Sequence, residues 1–97
     1  MENKRTLVDE KGPTSVFIEV EVTQEGDLLF SGQDIGALPG EMFGDSDYEY
    51  WLKIKQTHKD RVLLALIEKL YAGHPALISE VREVLESKGI PCEFNSY

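Results

Sequence analysis

The chain has 97 residues, 41% of them hydrophobic and 29% charged, with a formal net charge of −8. That is ordinary globular sequence, able to bury roughly 65% of its unfolded surface, and it excludes a wholly disordered chain or a basic nucleic-acid-binding module. No apolar run approaches the roughly 20 residues of a membrane span, the N-terminus lacks a signal-peptide core, and the lone cysteine, Cys92, fits a reducing, cytoplasmic setting.

Residues 1–13 show no sustained period and end in Gly12-Pro13, which reads as a loose tail with room for a short strand at Thr6-Leu7-Val8. Residues 14–97 are expected to form a single α+β domain. Val16, Ile18, Val20 and Val22 alternate with Phe17, Glu19 and Glu21, the period of a half-buried strand. Gln24-Glu25-Gly26-Asp27 then makes a tight turn, and Leu28 to Gln33 returns as a second strand. Glycines at 32, 36, 40 and 44 and Pro39 break the following stretch into a loop, pinned by Ile35, Leu38, Met42 and Phe43.

A third strand runs from Asp47 to Gln56, with Tyr48, Tyr50, Leu52 and Ile54 on one face and Glu49, Trp51, Lys53 and Lys55 on the other. Thr57 is expected to cap the first helix through the amide of Asp60, and Val62, Leu63, Leu66, Ile67 and Leu70 give its apolar stripe. Gly73 closes that helix, with His74 as the cap of the next and Pro75 in its first turn. The second helix sets Leu77, Ile78, Val81, Val84 and Leu85 at spacings of three and four and stops at Gly89. Cys92 to Tyr97 reads as a last strand, with Cys92 buried. The expected order is β-β-β-α-α-β, an antiparallel sheet with two helices packed on one face. Strand order stays open.

The acidic, aromatic strand ending in Tyr50-Trp51, the two helices and Gly89-Ile90-Pro91-Cys92-Glu93-Phe94 together resemble an uncharacterised family of small bacterial proteins. The resemblance covers residues 47–97 and implies no activity.

Charge is distributed unevenly. Residues 1–50 hold twelve carboxylates against three Lys or Arg, and residues 51–97 hold six against seven. The densest stretch, Asp34, Glu41, Asp45, Asp47 and Glu49, contains no base and runs into Tyr50-Trp51. Such a segment repels nucleic acid and attracts cations or basic protein surfaces, although acidity also serves solubility alone.

Asp45-Ser46-Asp47-Tyr48-Glu49 begins like a calcium loop, but Tyr50 takes the place of the required glycine and Gln56 that of the closing glutamate. His58, His74 and Cys92 lack the paired spacing of a zinc site. With no nucleophile elbow and no phosphate loop, no catalytic residue, metal or cofactor is expected. Lys53, Lys55, Lys59 and Arg61 form a small basic group, expected to be compensated by Glu19 and Glu21.

One candidate surface is left. Phe17, Leu29 and Trp51 stand on the sheet face opposite the apolar one, rimmed by charge. Either they form a recognition patch, or the tail or the 34–46 loop covers them. The expectation is a non-enzymatic interaction module of immunity or antitoxin type. It would hold a basic protein, or a second copy of itself, through Phe17, Asp34, Glu41, Asp45, Asp47, Glu49 and Trp51. The alternative is a small-ligand or metal site under the 34–46 loop.

Overall fold

A computed structural model describes residues 3–36 and 47–96. Its elements are β1 Lys4–Glu10, β2 Thr14–Val22, β3 Leu28–Gly36, β4 Asp47–Ile54, α1 Gln56–Tyr71 and α2 Leu77–Ser87. The class is α+β, with one antiparallel sheet in the order β1-β2-β3-β4. The chain divides into two compact units, residues 1–62 and residues 63–97.

The first unit is a meander. β2 and β3 pair without a shift from Thr14↔Gly36 to Val22↔Leu28, and β3 and β4 from Leu28↔Ile54 to Ile35↔Asp47. Directly opposed residues share a face. One face therefore carries Val16, Ile18, Val20, Val22, Leu28, Phe30, Tyr50, Leu52 and Ile54. The other carries Phe17, Glu19, Glu21, Leu29, Ser31, Glu49, Trp51 and Lys53. The period of two in the sequence thus assigns both faces.

The order of elements differs from the expected β-β-β-α-α-β at both ends. Residues 4–10 form a full edge strand against β2, from Lys4↔Glu21 to Glu10↔Val16. Its period is masked by a register shift between Thr6 and Val8, which inserts one residue and reverses the alternation. Opposite charges support the pairing: Lys4 faces Glu21, and its Nζ lies 3.5 Å from Glu19 Oε1. At the far end, no strand follows α2 among the described residues. Pro91 has no amide to offer a ladder. Phe94 instead packs locally, with the Arg82 guanidinium 4.2 Å above its ring. Cys92 is exposed, not buried.

β3 also outruns expectation, reaching Gly36 where the sequence pattern suggests a loop from Asp34. Its centre needs a glycine. The Tyr50 ring lies against Gly32, in the space a Cβ would fill.

The first helix starts one residue before Thr57, and its first amide is capped from a distant part of the chain. The Gln56 N–H donates to Asp27 Oδ1 at 2.9 Å, across 29 residues of sequence. The Lys59 ammonium donates to the Gly26 carbonyl at 2.8 Å. The β2–β3 turn is itself tied by Asp27 N–H donating to Thr23 Oγ1 and Thr23 N–H donating to the Asp27 carbonyl. A turn and a helix start are thereby locked into one corner.

The second unit contains the rest of α1, a turn through Gly73, and α2. His74 does not cap α2 with its side chain; its Nε2 lies 2.9 Å from Glu80 Oε2 in the first turn of that helix. α2 closes in a Schellman motif: Ile90 N–H donates to the Leu85 carbonyl and Gly89 N–H to the Glu86 carbonyl, with Gly89 at φ +68°. Among the described residues no hydrophobic side chain is fully buried. Leu77, Val81 and Leu85 are half-buried, while Leu63, Leu66 and Leu70 of the α1 stripe are exposed.

Candidate functional site

Two adjacent rows of the sheet generate a shallow depression on the face bearing Trp51. One row runs Phe17, Gln33, Glu49 and the next Glu19, Ser31, Trp51, across β2, β3 and β4. The aromatic rings thus occupy one diagonal of a square and the carboxylates the other. Between them β3 contributes Ser31 and Gln33, and the short Ser31 side chain leaves a hollow. Its volume is about 270 Å³, and Gly32 completes the floor. Trp51 is 64% exposed and Phe17 38%. Leu29, expected at the apolar centre, stands one row further along, between Glu21 and Lys53.

The depression has the chemistry of a cation receptor. An ammonium or guanidinium group gains from the face of an indole or phenyl ring and from flanking carboxylates. Glu19 already receives Lys4 from β1, which holds its side chain in place at one corner. Glu49 lies on the exposed strand β4 at the opposite corner.

The expected site residues fall into three groups. Phe17, Glu49 and Trp51 come together here, and Asp47 continues the same face one step along β4, opposite Ile35. Asp34 does not join them. It lies on the apolar face opposite Val16 and Tyr48, and accepts a hydrogen bond from Tyr50 Oη at 3.0 Å. That bond, with the charge of Asp34 behind it, holds the Tyr50 hydroxyl above its ordinary pKa. Glu41 and Asp45 lie outside the described residues, as do residues 37–46 of the loop expected to cover a ligand.

A second hollow surrounds the cap of α1, lined by Glu25, Asp27, Lys53, Lys55, Gln56 and Thr57. Asp27 is only 4% exposed. The backbone hydrogen bond from Gln56, then the charges of Lys55 and Lys53, hold its carboxyl below the ordinary aspartate value. Lys53 Nζ is 3.6 Å from Asp27 Oδ2. Of the basic group, Lys53 and Lys55 are met at this corner by Asp27, and Lys59 by the Gly26 carbonyl. Sequence reading misses Asp27 because its partner is remote in the chain. Gly32 does leave a signal, a glycine between β-forming residues that marks close approach. Among the described residues, no group of three or more His, Cys, Asp or Glu is placed to hold a metal ion.

No protein-family model matches this chain, and no curated protein or solved structure matches it either.

Proposed function

We propose that this chain is an acidic protein-interaction module, which holds a basic partner on the Phe17/Trp51 face of its sheet. The observation that carries the reading is the diagonal arrangement of two exposed rings and two carboxylates around a hollow on that face. A lysine or arginine side chain of the partner enters the hollow, its charge over Trp51 and between Glu19 and Glu49. Asp47 extends the acidic rim, and the acidic residues Glu41 and Asp45 of the connecting segment add long-range attraction. Asp34 has no part, being engaged with Tyr50 on the other face. A concrete version is an immunity or antitoxin protein of a bacterial cytoplasm that neutralises a cationic toxin. No described helix is long and apolar enough to cross a membrane.

The test is capture from a lysate on the immobilised chain, followed by titration of the captured protein. Trp51→Ala and the double substitution Glu19→Gln/Glu49→Gln should each weaken binding at least about tenfold, the loss of about 1.4 kcal/mol expected when an anchoring ring or charge pair is removed. Asp34→Asn should leave it unchanged, and wild-type binding should fall with salt. Binding indifferent to salt and to Glu19 and Glu49 would refute the reading.

A further inference from the structure

The two edges of the sheet are built differently. β1 is blunted by its register shift between Thr6 and Val8 and by Lys4, Arg5, Asp9 and Glu10. Shifts and charges of this kind discourage strand addition. β4 has neither a shift nor a proline. It pairs with β3 in unbroken register from Asp47 to Ile54, and its side chains Tyr48, Trp51 and Leu52 are 63%, 64% and 60% exposed. The α1 start is fastened to the β2–β3 turn, on the β3 side of β4.

The order of residues along β4 is self-complementary. Two antiparallel copies related by a two-fold axis perpendicular to the sheet must set one residue opposite itself. Centred on Trp51, the pairing places Glu49 opposite Lys53 of the second copy, and by symmetry the pair occurs twice; Asp47 then falls just beyond Ile54, the last residue of the facing β4. The same register sets Tyr50 opposite Leu52 and Tyr48 opposite Ile54 on the apolar face, with the two Trp51 rings side by side at the axis. Centring on Tyr50 keeps only the Asp47/Lys53 pairing and sets Glu49 against Trp51. Centring on Leu52 carries Glu49 past the end of the facing β4 and sets Trp51 against Lys53. One register thus satisfies charge, aromatic and aliphatic positions together.

We propose that the chain forms a homodimer by antiparallel β4–β4 pairing centred on Trp51, four strands from each copy making one continuous sheet. The pairing leaves both Phe17/Trp51 depressions on the same face of the continuous sheet. The proposal stands on the β4 edge and does not depend on the partner being basic.

Sedimentation of the full chain tests it by charge exchange. The wild type should be a dimer in concentration-dependent equilibrium with monomer. Glu49→Lys sets two lysines opposite each other and should weaken dimerisation at least about tenfold, and Lys53→Glu should do the same with two glutamates. Mixed together, the two variants should form a heterodimer, because the lysine introduced in one then faces the glutamate introduced in the other. Lys53→Glu also loses its ion pair to Asp27, so hydrogen exchange on the wild type gives an independent reading: amides of β4, and not those of β1, should slow as concentration rises. A wild type monomeric at its solubility limit, unchanged dimerisation in Glu49→Lys, or slowing confined to β1 would each overturn the proposal. Failure of a folded pair of variants to associate would overturn the register.

Discussion

Gly32→Ala isolates the tightest approach in the sheet. The Tyr50 ring occupies the space that a Cβ at residue 32 would take, and its hydroxyl reaches on to Asp34 Oδ1 at 3.0 Å. A methyl group there forces the ring off the strand, an overpacking cost of about 1–3 kcal/mol. Alanine also narrows the unfolded ensemble, which returns about 0.4–1 kcal/mol where the backbone tolerates it. The net expectation is a loss of about 1–2 kcal/mol, or a fall in Tm of roughly 4–8 °C per kcal/mol in a unit of this size. Urea unfolding followed by the fluorescence of the single tryptophan, Trp51 on β4, reads the sheet directly. The decisive comparison is a double-mutant cycle with Tyr50→Ala. Once the ring is gone, Gly32→Ala should become neutral or stabilising, while in the Tyr50 background it also returns the Tyr50 titration toward the ordinary tyrosine value. An equal cost of Gly32→Ala with and without the ring would refute the close-approach argument.

Asp27 controls the acid limb of stability. Its carboxyl is held below the ordinary value by the Gln56 amide and the neighbouring lysines, so the unfolded state binds the proton more readily. The stabilisation is present above the unfolded aspartate pKa of about 4 and is lost as pH falls through the lower folded value. Acid unfolding of Asp27→Asn should therefore show a flatter limb below that pH than the wild type, with lower stability at neutral pH. At the other end of the chain, Gly89→Ala places a methyl group at φ +68° in the Schellman turn. It should cost about 1–2 kcal/mol and fray the last turn of α2, visible as lost helical ellipticity.

Much of the sheet is legible because β2 and β4 alternate strictly, and alternation in a strand fixes which side chains share a face. Phe17 and Trp51 can be set together before any register is known. What escapes is structure without period. β1 carries a register shift that scrambles its alternation, so residues 4–10 read as a tail until paired with β2. The start of α1 escapes for a related reason. Local capping rules favour Thr57, but the acceptor is Asp27, brought from the β2–β3 turn by tertiary structure. No window along the sequence contains both partners.

Strand parity also divides the acidic segment between two surfaces. In sequence, Asp34 and Glu49 belong to a single run of carboxylates. In the sheet, residue 34 lies opposite residues 16 and 48 whereas residue 49 lies opposite 33, so the two acids emerge on different faces. One carboxylate orients Tyr50, and the other flanks the hollow beside Trp51. Charge counted along the chain therefore overstates what any one partner can meet. The distinction has an experimental consequence in the binding assay, because Glu49→Gln and Asp34→Asn remove the same formal charge from the same stretch. Long-range attraction alone would make them equivalent. Recognition in the hollow makes only Glu49 matter.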